Sequence, residues 1–108
     1  MSEDESYTAV IAESEIQEGK MKLIRAEGKQ VLFIKQNGKL YVIDDRCPHM
    51  GCKFSWGNID DDFIVCPCHE WRFNLETGEY ENDSEFILTT YPFKIKDEKI
   101  WVKLEDDL

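Results

Sequence analysis

The residues best suited to chemistry in this chain are four cysteines and two histidines, which all lie in one short segment. They are Cys47, His49, Cys52, Cys66, Cys68 and His69. No other position of the 108-residue chain is a cysteine or a histidine, so random scattering is a poor explanation for the grouping. Thiolate sulfur and imidazole nitrogen are common protein ligands of zinc and iron. The segment therefore predicts a metal centre.

The six residues form two similar loops. Cys47-Pro48-His49 begins the segment and Cys66-Pro67-Cys68-His69 ends it, so each loop offers thiol and imidazole groups beside a proline. Zinc sites usually pair Cys with Cys and His with His along the chain, whereas each loop here mixes the two. The spacing C-x-H followed by C-x-x-H instead suits a two-iron cluster in which one iron takes two thiolates and the other takes two imidazoles. Zinc is the alternative metal, and a degenerate structural site is a further alternative.

Both loops resemble the cluster loops of the Rieske family. The resemblance includes the motifs that begin at Cys47 and Cys66, the following Trp71-Arg72-Phe73 and Thr77-Gly78, and more loosely residues 7–104. It implies one Rieske-type [2Fe–2S] cluster as the cofactor. Two neutral imidazoles in place of two thiolates make such a cluster less anionic, which raises its reduction potential from about −400 mV to between about −150 and +300 mV.

The resemblance also assigns the ligands of this cluster. By their positions in the family's motif, Cys47 and Cys66 bind one iron through sulfur, and His49 and His69 bind the other iron through Nδ1. These four residues are the predicted cofactor-binding and metal-binding set. No residue of the chain is assigned a catalytic role.

Cys52 and Cys68 match positions that form a disulfide in the Rieske proteins of respiratory and photosynthetic cytochrome complexes, although small oxygenase-type ferredoxins usually lack this pair. The resemblance implies a bridge between them that would tie the two cluster loops together. Closing the loop from Lys53 to Pro67 would stabilise the fold by about 3 kcal/mol. Disulfides are uncommon in the cytosol, so two buried free thiols are the alternative.

The residues after His69 differ from the respiratory pattern. That group usually has Gly, Ser and Tyr where this chain has Glu70, Trp71 and Phe73, and the Ser and Tyr hydroxyls of that group donate hydrogen bonds that raise the potential. Trp71 and Phe73 cannot donate these bonds and resemble the ferredoxin and oxygenase group instead, while Glu70 would place a carboxylate beside the cluster. We therefore predict a potential clearly below the respiratory type, and a value above about +150 mV would contradict this prediction.

Further residues beside the ligands are predicted to surround the cluster or to form the rim that touches a redox partner. They are Pro48, Met50, Lys53, Phe54, Glu70, Trp71 and Phe73. Of these, Pro48, Lys53 and Phe54 are the preferred rim residues. The tryptophans Trp56, Trp71 and Trp101 are expected to pack in the core or in loops, and the acidic run Asp60-Asp61-Asp62 is expected to be solvated.

Outside the cysteine-rich segment the sequence is strand-like, with short β-branched or aromatic stretches that often alternate with polar residues. The predicted strands are Tyr7–Ile11, Met21–Ala26, Gln30–Lys35, Lys39–Ile43, Phe63–Cys66, Phe86–Thr90, Tyr91–Lys96 and Lys99–Leu104. Asn37-Gly38 predicts a two-residue hairpin turn, Asp97-Glu98 a weaker turn, and Ser14–Glu18 a helical turn that ends at Gly19. We predict an all-β fold, a Rieske-like antiparallel β sandwich or barrel, with 1–108 as a single domain and a small inserted cluster-binding segment at about 46–79.

The acidic composition limits the range of partners. The chain has 23 acidic and 13 basic residues and a formal net charge of −10, which disfavours binding to nucleic acid phosphates and favours redox partners with basic docking patches. No apolar run approaches the roughly 18–20 residues that cross a bilayer, and the acidic N-terminus is unlike a secretory signal. We expect a soluble cytoplasmic monomer that does not insert into membranes.

The predicted function is that of a soluble Rieske-type [2Fe–2S] ferredoxin, a one-electron carrier between a reductase and a terminal oxygenase or other redox acceptor. We do not expect an enzyme, because the chain is short and its two histidines leave none for a second, oxygen-activating iron. The alternatives are a small accessory subunit of a redox enzyme such as nitrite reductase, and a zinc-stapled interaction module. A nucleophilic Cys–His pair is disfavoured because it would need no second copy.

Overall fold

The computed structural model describes residues 7–47, 52–68 and 70–104, and strands dominate this part of the chain. They are β1 (Tyr7–Ala12), β2 (Lys20–Ala26), β3 (Lys29–Gln36), β4 (Lys39–Asp44), β5 (Asn58–Asp60), β6 (Phe63–Val65), β7 (Arg72–Asn74), β8 (Glu79–Tyr80), β9 (Asp83–Ile87), β10 (Phe93–Lys96) and β11 (Lys99–Lys103). Short 3-10 helices add Glu13–Glu15 and Phe54–Trp56. The predicted all-β class is therefore confirmed. No helix within the described ranges is long and apolar enough to span a bilayer.

The strands form three antiparallel sheets. Their strand orders are β1-β11-β10, β2-β3-β4 and β5-β6-β7-β8-β9. Most neighbours are also consecutive along the chain, but β1 pairs with β11 from the opposite end. The first sheet therefore joins the beginning of the described chain to its end, while the second and third sheets each form from one continuous stretch.

β3 makes the second sheet the middle layer of the fold. Its residues Val31, Leu32, Phe33 and Ile34 are all fully buried. Val31 and Phe33 pack in one core with residues of β1 and β11, whereas Leu32 and Ile34 pack in a second core with residues of β6 and β7. A strand that is covered on both faces has a continuous apolar run instead of polar alternation, so β3 belongs to both cores.

Tight turns with left-handed backbone join β2 to β3, β3 to β4 and β10 to β11, and the sequence predicts the last two of them. Asn37 and Gly38 have φ values of 57° and 76° between β3 and β4, and Asp97 and Glu98 have φ values of 54° and 63° between β10 and β11. Positive φ at both central residues matches the type I′ turn, whose twist suits a two-residue hairpin. Both predicted turns are confirmed.

Each predicted strand overlaps an observed one, but bounds and number differ. The sequence does not predict β5, β7 and β8, because two or three residues are too few for an alternating pattern. The predicted strand Phe86–Thr90 overlaps β9, which begins earlier, at Asp83, and ends at Ile87. The predicted helical turn at Ser14–Glu18 is shorter and earlier, a 3-10 helix at Glu13–Glu15.

Candidate metal centre

The two predicted cluster loops both begin shortly after a strand that faces the second core. Cys47 follows β4 and Cys66 follows β6, and the two residues are 1% and 0% exposed. The Cys47 N–H donates to the carbonyl of Cys52, and the Cys66 N–H donates to the carbonyl of Trp71, both at 2.8 Å. Each loop is therefore closed by the same kind of bond, between a cysteine and the residue five positions later.

The thiols of Cys47 and Cys66 lie within hydrogen-bonding distance of each other. The pKa of the Cys66 thiol is raised to about 11, chiefly by burial and then by the hydrogen bond and charge of Cys47, while the Cys68 backbone N–H acts to lower it. Two adjacent buried thiolates require a positive charge between them, because they are removed from water. Ferric iron supplies that charge, so this donor pair fits the sulfur side of a Rieske-type cluster.

The histidine side of the predicted centre lies outside the described residues. His49 and His69 both fall there, together with Pro48 and Met50. The described ranges accordingly bring together no group of three or more His, Cys, Asp and Glu side chains suited to a metal. The assignment of His49 and His69 as ligands stays a prediction.

A disulfide joins the two loops. It connects Cys52 to Cys68, whose Cα atoms are 6.3 Å apart, so the predicted bridge is present and the alternative of two free thiols is wrong. Cys47 and Cys66 are the free cysteines. The four cysteines therefore divide into one covalent pair that ties the loops and one buried thiol pair that can bind a metal.

Phe54 lies beneath the first loop and is fully buried. Its ring meets the ring of Phe73 edge to face, with centroids 5.5 Å apart. The prediction that Phe54 belongs to the partner rim is therefore wrong, because its side chain fills the core between the two loops and cannot touch another protein. Phe73, which is also fully buried, lies below the cluster loops as an apolar support.

Trp71 forms an aromatic cluster on the side of the second loop. Its ring stacks on Tyr80 with centroids 3.8 Å apart and meets Phe86 edge to face at 5.2 Å. The sequence does not predict Tyr80 and Phe86 as site residues, because they lie far from the loops along the chain and become neighbours only through β8 and β9. Glu70, in contrast, is exposed and has left-handed backbone with φ of 55°, so water screens its carboxylate.

Trp56 replaces Phe54 as the aromatic residue that is open to solvent beside the first loop. It is 74% exposed, and the Nζ of Lys53 lies 5.3 Å from the centroid of its ring. The expectation that Trp56 packs in the core or in a loop is wrong. Side chains two positions apart in a 3-10 helix point to different sides, so Phe54 faces the core and Trp56 faces solvent. The sequence carries no signal for which of the two is buried.

Asp45 is a buried carboxylate next to the first loop that sequence reasoning also missed. It is 2% exposed. One carboxylate oxygen accepts the Ser55 N–H at 2.6 Å, and the other accepts the Ser55 hydroxyl at 2.7 Å. The chain segments before Cys47 and after Cys52 are therefore joined by both oxygens of one side chain.

The acidic run Asp60-Asp61-Asp62 lies at the turn between β5 and β6 and is exposed, as predicted. Asp60 forms an ion pair with Arg72, and Asp62 accepts a hydrogen bond from the Asn37 side chain at 3.1 Å. These contacts connect hairpin ends on the surface. They account for the run without a metal or a catalytic role.

Comparison with known proteins gives a consistent result over nearly the whole chain. The model of the Rieske [2Fe-2S] domain family matches residues 6–92. The ferredoxin component of the alkene monooxygenase system of Xanthobacter autotrophicus is 27% identical over 104 residues, which are 95% of this chain and 85% of that protein. The ferredoxin component of the naphthalene 1,2-dioxygenase system of Pseudomonas putida is 30% identical over 104 residues, which are 91% of this chain and 95% of that protein.

Solved structures agree with these sequence relatives. A chain in the complex of reduced oxygenase and oxidized ferredoxin of carbazole 1,9a-dioxygenase superposes with a TM-score of 0.81. It is 26% identical, and the match covers 94% of this chain and 96% of that chain. The similarity in structure therefore extends over nearly the whole chain.

Proposed function

Because the chain belongs to the Rieske [2Fe–2S] domain family, which binds one such cluster, we propose that it is a ferredoxin that carries single electrons from a reductase to a terminal oxygenase. The observation that carries this proposal is the buried Cys47–Cys66 thiol pair on two loops that a disulfide ties together. Relatives of nearly the same length are ferredoxin components of oxygenase systems. The cluster supplies reversible one-electron chemistry when it is bound, and the protein itself is not an enzyme.

Different residues of the chain have different roles in holding that cluster. Cys47 and Cys66 would hold one iron, and His49 and His69 would hold the other. The bond between Cys52 and Cys68 keeps the loops together, and Phe54 and Phe73 exclude water from below. We assign none of these residues a role in substrate binding, in keeping with a function limited to electron transfer.

The reduction potential is proposed to lie clearly below that of respiratory Rieske proteins. Trp71 and Phe73 stand where that group has hydroxyl donors, and neither side chain carries a hydroxyl group that could donate to cluster sulfur. Trp71 instead packs against Tyr80 and Phe86. The exposed Glu70 contributes little to this lowering, because solvent screens it.

The proposed partners have basic docking patches that meet the acidic side of the molecule. Segment 58–87 includes the second loop. It contains nine Asp or Glu residues and a single Lys or Arg residue, Arg72. We further propose that the chain acts as a cytoplasmic monomer in transient encounters, which bury less than about 1,200 Å². Electron transfer should then slow as salt screens the charges.

Anaerobic purification followed by iron, sulfide and zinc analysis tests the proposal directly. We expect two irons and two sulfides per chain and a reversible one-electron wave in protein-film voltammetry. Zinc without sulfide would support the interaction module. A bound cluster that exchanges electrons only within a larger purified complex would support the accessory subunit.

Replacing His69 with cysteine tests the histidine assignment. We expect the His69→Cys variant to keep a cluster but to lower its potential toward the all-cysteine value of about −400 mV, because an added thiolate makes the cluster more anionic. Voltammetry of the Lys99→Cys variant, which adds a thiol at an exposed position of β11, is the control. An unchanged potential in His69→Cys would mean that His69 is not a ligand.

Trp56 is proposed as a partner contact at the cluster end. An interface tryptophan commonly contributes about 2 kcal/mol or more to binding, so we expect Trp56→Ala to raise the apparent KM for the ferredoxin in an oxygenase assay about thirtyfold or more. Its melting temperature should not change, because the side chain is largely exposed. Ile95→Ala removes another exposed apolar side chain, on β10, and should leave the KM unchanged. Equal effects of the two variants would exclude a specific contact.

A further inference from the structure

Asp45 is unusual among the charged residues of this chain. In the ranges that the structure describes, it is the charged residue whose side chain is buried in the core, and none of the ion pairs found there includes it. Its two carboxylate oxygens both accept hydrogen bonds from Ser55, one from the N–H and one from the hydroxyl. A negative charge that is removed from water and not paired with a cation is costly, which calls for a functional reason.

The position of this contact relative to the first cluster loop supplies one. Asp45 precedes Cys47 by two residues, and Ser55 follows Cys52 by three. Inside this contact, the Cys47 N–H donates to the carbonyl of Cys52 at 2.8 Å. The loop is therefore closed twice, by a backbone bond next to the cysteines and by the Asp45–Ser55 contact outside it.

Both partners of the contact are themselves fixed to the core. The N–H of Asp45 donates to the carbonyl of Gln30 on β3 at 3.0 Å. Ser55 follows Phe54, whose ring is fully buried against Phe73. The loop that contains Cys47 and Cys52 is thus attached to the middle sheet on one side and to the aromatic core on the other.

The backbone of Asp45 is also close to Cys47, one of the proposed cluster ligands. Two residues of extended chain span at most about 7 Å, so the Cα atom of Asp45 lies within that distance of the Cα atom of Cys47. Charges separated by such distances interact strongly when they are buried. A negative charge here opposes the addition of an electron to a nearby cluster.

We propose that Asp45 is a positioning residue that holds the first cluster loop through Ser55 and lowers the reduction potential through its buried charge. This inference rests on the proposed function only where it concerns the potential, because the loop contact exists in the protein without the cluster. Ser55 donates the two hydrogen bonds that hold the loop, and Asp45 carries the negative charge that accepts them.

Three substitutions separate these two roles. In Asp45→Asn the amide oxygen still accepts the Ser55 N–H, and the amide N–H donates to the Ser55 hydroxyl oxygen, so the contact is retained while the charge is lost. In Ser55→Ala the charge and the backbone bond are retained while the hydroxyl bond is lost. Asp44→Asn is the matched control, because Asp44 is the half-buried last residue of β4, directly before Asp45, and lies close to the cation of Arg46.

Measuring the midpoint potential of each variant tests whether the charge of Asp45 lowers the reduction potential. We expect Asp45→Asn to shift the ratio of oxidised to reduced protein at a given applied potential about tenfold toward the reduced form, which is about +59 mV for one electron. Ser55→Ala and Asp44→Asn should each shift it less than threefold. A shift in Asp44→Asn equal to that in Asp45→Asn, or no shift in Asp45→Asn, would overturn the electrostatic role.

Hydrogen exchange of the metal-free protein tests whether the contact between Asp45 and Ser55 holds the first cluster loop in place. We expect faster exchange of the Ser55 and Cys47 amides in Ser55→Ala, by about fivefold or more, with exchange in β3 unchanged. Unchanged exchange at both amides would overturn the positioning role. If the wild-type protein contains no iron or sulfide, the proposed function fails, and this exchange measurement still decides whether Asp45 holds the loop.

Discussion

Gly57→Ala is expected to destabilise the protein by about 3 kcal/mol or more and to abolish cluster binding. A Cβ atom at Gly57 would overlap the carbonyl oxygen of Val65 and lie 3.1 Å from its carbonyl carbon and 3.2 Å from Cδ of Pro67. Val65 ends β6 immediately before Cys66. Because most of these contacts are with backbone, no side-chain rotation relieves the overlap, and overpacking of this kind is costly.

The measurement is a thermal melt with parallel iron analysis. A loss of about 3 kcal/mol should lower the melting temperature by at least about 10 °C. Gly28→Ala and Gly38→Ala are the matched controls, because both positions have open space around the added methyl but positive φ of 79° and 76°. They should lose about 1–2 kcal/mol from backbone strain and keep the cluster. If all three variants lose the same stability, the contact between Gly57 and Val65 does not matter.

Removing the disulfide is expected to destabilise the fold by about 3 kcal/mol, because the bridge closes the loop between Cys52 and Cys68 in the unfolded chain. Cys52→Ser should still assemble a cluster, since the proposed ligands are untouched. The cluster should, however, be lost faster, because only noncovalent contacts such as those of Phe54 with Phe73 would then hold the loops together. Urea unfolding and the decay of visible absorbance during dilution measure these two effects.

The control for the disulfide is chemical reduction. A reducing agent should destabilise the wild-type protein by the same amount and leave the Cys52→Ser/Cys68→Ser variant unchanged. The double variant also removes the free thiol that Cys52→Ser leaves near Cys66. Failure of the double variant to assemble any cluster would show that the bridge is required for assembly and is more than a tie between loops.

The elements that sequence could predict are those whose signals are local. Asn37-Gly38 specifies a hairpin turn by itself, because few other residues accept positive φ at both positions. The long apolar run of β3 likewise identifies a buried strand. β5, β7 and β8 could not be predicted, because they are two or three residues long and are strands only by pairing with neighbours in the five-stranded sheet.

Some features of the candidate site could likewise be predicted from the sequence, and others could not. Cysteine and histidine spacing predicted the loops, and the family resemblance predicted the disulfide between Cys52 and Cys68. The contact of Asp45 with Ser55 was beyond the sequence, because a carboxylate followed ten residues later by a serine has no distinctive pattern. The exchange of Phe54 and Trp56 between core and surface was equally hidden, since both are large aromatic residues and only the geometry of the short helix decides which one is buried.

The shared strand β3 also has a consequence for the speed of electron transfer. Since its two faces belong to different cores, the layer beneath the loops cannot relax without disturbing the layer on the far side, and close-packed interiors resist such disturbance. Atoms around the cluster would therefore move little when an electron arrives or leaves. A small reorganisation energy of this kind permits rapid exchange with donor and acceptor even when the difference in driving force between them is slight.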